Sequence, residues 1–161
     1  MIEIQVLTPD DWPLWRELRL AALAEAPSAF GSTLADWTGP GDREDRWRAR
    51  LELPGSHNLI ARLDGQPVGM AGGVPGEQPG HTELISMWVS PAGRGKGVAD
   101  ALITEVAAWS RTQGVPELRL MVAVDNAPAL ALYRRCGFAQ TGHEQAMPDG
   151  VRRELEMSLP L

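Results

Sequence analysis

Cysteine is nearly absent. Cys136 is the only one in the 161 residues, so no disulfide forms within the chain. Long apolar runs are also missing: none approaches the ~20 residues needed to cross a bilayer, and no membrane role is expected. Met1-Ile2-Glu3-Ile4 shows no basic stretch ahead of an apolar one. A secretory leader is therefore not expected, and the reducing cytoplasm is the expected compartment. Positive charge is in short supply, with 15 Lys and Arg against 21 Asp and Glu, a net charge of −6. A general nucleic-acid binder usually shows a basic face, so that class loses weight and no nucleic-acid partner is expected. It mildly favours cationic partners such as small amines. Histidine is scarce too; His57, His81 and His143 lack metal-ligand spacing, and no metal is expected. No composition shift marks a linker and no segment repeats. The remainder, 43% hydrophobic and 22% charged, is that of an ordinary globular protein. One domain over residues 1–161 is expected, large enough to bury roughly 70% of its unfolded surface.

Periodicity supplies the elements. Ile2–Leu7 alternates apolar and polar residues and reads as a strand. Thr8-Pro9-Asp10-Asp11 opens a helix to about Ala24, with Trp15, Leu18 and Ala22 on one face. Pro27 to Gly41 is turn-rich. A charged helix is expected from Asp42 or Arg43 to Leu53. His57–Leu63 and Pro67–Val74 form a hairpin about Asp64-Gly65, and Glu83–Val89 is a further strand. Val98–Arg111 is a helix with Val98, Leu102, Val106 and Trp109 along one stripe, stopped by Gly114-Val115-Pro116. Leu118–Val124 is a strand. Asn126 to Arg135 is a short helix with Pro128 in its first turn. Phe138–Thr141 and Arg153–Leu159 complete a mixed α/β plan.

The loop between Val89 and Val98 carries the chemistry. Ser90-Pro91-Ala92-Gly93-Arg94-Gly95-Lys96-Gly97 joins a strand to a helix start. Glycines let backbone N–H groups approach a ligand, and the helix N-terminus adds partial positive charge. Arg94 and Lys96 add formal charge, so a phosphate ligand fits. The loop lacks the Gly-Lys-Ser/Thr ending of a nucleotide P-loop. Gly95, Gly97 and Asp100 break the dinucleotide G-x-G-x-x-G spacing.

Val89-Ser90-Pro91 followed by Arg94-Gly95-Lys96-Gly97-Val98-Ala99 resembles the R/Q-x-x-G-x-G/A signature of the GNAT N-acetyltransferase superfamily. The stretch from Asn126 to Phe138 resembles that family's second segment, and the likeness is clearest over about residues 56–140. The resemblance implies a central mixed sheet of six to seven strands, splayed between strands 4 and 5 and flanked by about four helices. It implies acetyl-CoA as cofactor, its pyrophosphate cradled by Arg94, Gly95, Lys96, Gly97, Val98, Ala99 and Asp100, and its pantetheine arm laid along Met87, Trp88 and Val89. Asn126 matches a cofactor-contacting position. Tyr133, the only tyrosine, matches the phenol that protonates the leaving thiolate. A homodimer through a sheet edge also accords with the family.

Acetylating an amine requires removing its proton, because alkyl amines titrate near pH ~10. Glu83 matches the general base of histone-type members, with a water relay as the alternative. The fifth-strand glutamate of other members corresponds to Met121, which cannot act as a base. His81 stands two residues from Glu83 and is placed to assist. Phe30 and Trp37 fall in the region that binds the acceptor in the family, where an apolar or cation-binding wall is expected; Ala29-Phe30-Gly31-Ser32-Thr33 is a pattern found there. Cys136, at a helix end, reads as a packed thiol. The reading is direct acetyl transfer to a primary amine of a small molecule. Acetylation of a protein N-terminus or lysine, and a non-catalytic coenzyme A-binding module, are the alternatives.

Overall fold

The structure is a computed structural model and describes residues 1–161. Its strands are β1 (Ile2–Val6), β2 (His57–Leu63), β3 (Gln66–Pro75), β4 (His81–Val89), β5 (Glu117–Ala123), β6 (Ala139–Ala146) and β7 (Arg153–Pro160). Its helices are α1 (Trp12–Glu25), α2 (Glu44–Leu51), α3 (Val98–Thr112) and α4 (Ala127–Arg135). They form one seven-stranded sheet in the order β1-β2-β3-β4-β5-β7-β6. All neighbours are antiparallel except β4 and β5. No helix is long and apolar enough to cross a membrane.

The sheet is covered on both faces, and the strand period of two sorts side chains between them. On β2, Leu59 and Ala61 join the cluster under α3, with Val98, Leu102 and Val106. Ile60, between them, joins the cluster under α1 and α2 with Trp15, Leu18 and Trp47. The expected faces of the two long helices are thus the buried ones. Trp15, Ala22, Leu102 and Val106 are each 1% exposed or less.

Two expectations shift. Thr8 to Asp11 forms a 3-10 turn closed by a capping box between Thr8 and Asp11, and α1 proper starts at Trp12. β6 continues to Ala146 rather than stopping at Thr141. Every residue of β6 is exposed, so it has no apolar alternation to betray it.

β4 and β5 make the sheet's irregularity. Their parallel pairing covers only His81–Glu117, Thr82–Leu118 and Glu83–Arg119. Beyond Glu83 the strands part, while β5 stays fully paired with β7. Across from β5, β4 pairs with β3 through a bulge. Gly72 faces Ile85 and Met70 faces Trp88, so β4 carries an extra residue over that interval. Ser86, within the bulge, has φ +56°. A bulge bends its strand and steepens its twist, which turns β4 away from β5.

Candidate active site

Two cavities flank the place where β4 and β5 part. A cleft of about 870 Å³ runs from the bulged strand to the start of α3 and the face of α4. A second cavity of about 360 Å³ lies between the sheet, α1, α2 and the turns joining those helices. Ala29 and Phe30 line both, so the two are adjoining rooms.

The cleft gathers Met87, Trp88, Val89, Arg94, Gly95, Gly97, Val98, Ala99, Asp100, Asn126 and Tyr133. Lys96 is the one expected residue missing from its lining: its ammonium turns back to the carbonyl of Ala92 at 3.2 Å. Gly97 is the N-cap of α3 with φ +84°, a left-handed conformation costing a side-chain-bearing residue ~1–2 kcal/mol. The first bond anchored at this start runs from the Ala101 N–H to the Gly97 carbonyl, 3.1 Å. The earlier amides of the helix start therefore have no acceptor within it and are free for an anion.

Formal charge contributes less here than the sequence suggests. Arg94 donates to the Val89 carbonyl at 3.1 Å and to Glu25 at 2.7 Å. Glu25 also accepts from the Trp88 indole at 3.0 Å. These two hydrogen bonds, Trp88's first, hold the Glu25 carboxyl below its ordinary range. Arg135 likewise faces Asp100 at 3.1 Å and, with the Cys136 thiol, keeps that carboxyl ionised. With its arginines engaged, the cleft attracts an anion chiefly through backbone dipoles. Glu25 escaped notice because a glutamate at a helix end reads as solvated; only the fold brings it to Trp88 and Arg94.

Asn126 caps α4, its side-chain oxygen accepting from the Ala129 N–H at 3.3 Å. Tyr133, one helix face later, is 8% exposed and packs edge-on against Phe138, ring centres 5.7 Å apart. Burial first, and the nearby Cys136 second, push its phenol well above its ordinary value, so it stays protonated at neutral pH. Burial also leads in raising the Cys136 thiol to about 11, helped by the thiol's hydrogen bond to Asp100 at 3.3 Å. Cys136 is thus a packed thiol rather than a thiolate nucleophile.

The second cavity holds Glu83, Phe30 and Trp37, the expected acceptor residues. The Glu83 carboxylate lies 3.5 Å from the His81 ring nitrogen. Trp47, 1% exposed, is core and supports Trp37, ring centres 4.6 Å apart. The cation-binding wall takes an unexpected form, because the chain fills it with its own cations. Arg46 lies 3.9 Å over the Trp37 ring and Arg19 lies 4.5 Å over Phe30. Arg19, Arg50 and Glu154 complete the charged lining. None of the three stood out in the sequence, since charged residues on helices and exposed strands read as solvent-facing.

Residues 15–138 match the profile of the Acetyltransferase (GNAT) family. The aminoglycoside N(6')-acetyltransferase type 1 of Stenotrophomonas maltophilia is 29% identical over 145 residues, 86% of each chain. The L-amino acid N-acetyltransferase AaaT of Escherichia coli K12 is 32% identical over 120 residues, 69% of this chain and 72% of that one. Against several other curated relatives, the matched region spans about half of their length. The PaiA N-acetyltransferase of Thermoplasma acidophilum, solved with coenzyme A, superposes with a TM-score of 0.70 over 100% of this chain and 99% of that one. Its 18% identity makes that a likeness of fold. A mixed sheet parted between β4 and β5, a glycine-rich helix start beside the gap and a profile match over most of the chain agree: the protein belongs to the acetyltransferase (GNAT) family, enzymes that draw the acetyl group from acetyl-CoA.

Proposed function

We propose that residues 1–161 form one N-acetyltransferase domain that moves an acetyl group from acetyl-CoA to a primary amine of a small molecule, by direct attack in a ternary complex. The observation that carries this reading is the parting of β4 and β5 beside two adjoining cavities, one suited to a phosphate-bearing cofactor and the other to an acceptor. The pyrophosphate of coenzyme A takes the amides at the start of α3. The pantetheine arm lies along Met87, Trp88 and Val89, where β4 has lost β5 as a partner, and completes the sheet as an added strand. This brings the thioester to the mouth of the acceptor cavity.

The amine enters from that cavity. Glu83, directly or through water, takes the proton that an alkyl amine carries at neutral pH. The amine nitrogen attacks the thioester carbonyl, whose developing oxyanion is met by a backbone N–H of β4. The carbon–sulfur bond then breaks, the thiolate takes the phenolic proton of Tyr133, and the nitrogen gives its second proton to water to leave the neutral amide. Burial keeps Tyr133 in its acid form at neutral pH, so the proton is present in the cleft when the thiolate forms. The products are the acetamide and free coenzyme A, and solvent resets both groups.

Relatives named for aminoglycosides and for amino acids support a small-molecule acceptor. The protonated phenol in the cleft and the carboxylate in the adjoining cavity support chemistry over mere cofactor binding. A panel of small amines and peptides, followed by release of the free thiol and by mass of the acetylated product, tests the reading. Turnover of small amines is expected. Stabilisation by acetyl-CoA in a thermal melt with no turnover of any amine identifies a binding module instead.

A further inference from the structure

The acceptor cavity holds an electrostatic arrangement that the proposed reaction, as stated, leaves unused. Arg19 and Arg50 both line it, one from α1 and one from α2. Arg19 has a buried guanidinium nitrogen, Nη1, with no hydrogen-bond partner, and its plane lies 4.5 Å over the Phe30 ring. Arg50 donates to Asn58 at 2.7 Å and reaches the Ser86 hydroxyl only at 3.5 Å. It lies against Trp15, 4.9 Å from the ring centre. Burial pushes Arg19 down to about 10. Burial, with the charge of Arg19 as a second cause, brings Arg50 to about 10 as well. No carboxylate offsets either shift, although both groups remain cationic at neutral pH.

Two desolvated cations that repel one another, one with an unused donor, are costly unless something of opposite charge joins them. The backbone leaves room for one of them, Arg50. A Cβ on Gly72 would stand 2.6 Å from the Arg50 guanidinium, so only glycine at that point of β3 leaves the side chain its place. The remaining charges, Glu83 and Glu154, enter the same cavity from the sheet. A ligand satisfying all four groups carries one anionic and one cationic end. A planar carboxylate matches the forked donors of an arginine, and the about 360 Å³ cavity limits the molecule to a small one.

We propose that the acceptor is a small primary amine that also bears a carboxylate, an amino acid being the simplest case, with Arg19 and Arg50 holding the carboxylate while the amine faces Glu83. This rests on the acetyltransferase reading and names the substrate class for the same site. It reverses the preference that the acidic balance of the whole chain suggests. A polycationic amine would bring more positive charge to a cavity that already holds an unmatched pair.

The test measures thiol release from acetyl-CoA with the common L-amino acids, and with the C-terminal amide and the decarboxylated amine of each one accepted. The amino acids are expected to be acetylated, and loss of the carboxylate is expected to lower kcat/KM about 10- to 100-fold, mainly through KM. Arg19→Leu should cost a similar factor with the amino acid but little with its amide, because the charge it met is gone; Arg19→Lys should recover part of the loss. Preference for carboxylate-free amines, or an Arg19→Leu enzyme that still discriminates acid from amide as the parent does, overturns the inference and leaves the transferase reading intact. Absence of thiol release with an amine of any class, while acetyl-CoA still raises the Tm, overturns both.

Discussion

In the proposed mechanism Tyr133 and Glu83 divide the proton work between the two cavities, and each makes a separable prediction. Tyr133→Phe keeps the ring and its contact with Phe138 but removes the acid. Turnover should fall about 100-fold or more while acetyl-CoA stabilisation in a thermal melt stays near that of the parent. A parental kcat would remove Tyr133 from the mechanism. Glu83→Gln should also lower kcat about 100-fold, with a difference in pH behaviour. As pH rises toward the amine's own pKa of ~10, more acceptor arrives deprotonated. The deficit of the variant should therefore shrink with pH; a deficit constant across the range argues for a positional role. Not every residue of the site was open to sequence reasoning. Tyr133 and Gly97 stood in recognisable strings. Glu25, Arg19 and Arg50 are charged residues whose partners come from α1, β2, β4 and the loops after α1 and β4, and no local spacing reveals them.

The α3 start and the α1–α2 pair position the rooms. Gly97 and Gly65 both sit at positive φ, +84° and +86°, but only Gly97 lines the cleft. Gly97→Val and Gly65→Val should each cost roughly 1–3 kcal/mol from backbone strain. Only Gly97→Val should also abolish the thermal shift given by acetyl-CoA; a shift retained at parental size would displace the cofactor from this loop. On the acceptor side, Asp42 joins the helices, accepting from Arg16 of α1 at 2.7 and 2.5 Å and from the Trp47 indole of α2 at 2.9 Å. Arg16's hydrogen bond, with Trp47's second, draws its carboxyl from 3.8 down to about 2. The folded form therefore binds that proton less readily than the unfolded chain does. The stabilisation is full above pH ~4 and is lost as pH falls toward 2. Asp42→Asn should lower the Tm at neutral pH, and the gap from the parent should close over that acid range. An equal gap at both ends would mean that the charge is not what joins the helices. Element placement shows what local pattern conveys. α1 and α3 were legible because a full stripe of each is buried, whereas the exposed β6 was undercounted and the bulge at Ser86 left no signature at all.

For the molecule as a whole, net charge and site charge point in different directions. A chain at −6 suggests cationic ligands in general. The proposed acceptor cavity is instead lined by two arginines and two glutamates, and the proposed cofactor cleft engages its arginines with Glu25 and Asp100. Bulk charge governs the surface; the site is set by which side chains the fold brings inward. The cleft and the cavity adjoin and leave room for donor and acceptor together, which supports the proposed direct transfer. Cys136, with its thiol raised to about 11 and bonded to Asp100, is poorly suited to carry the acetyl group. The most direct test of this account is initial-rate kinetics of thiol release with acetyl-CoA and an accepted amine both varied. Intersecting double-reciprocal lines, with no acetyl found on the protein when the amine is left out, are the predicted result. Parallel lines together with an acetylated enzyme would contradict direct transfer.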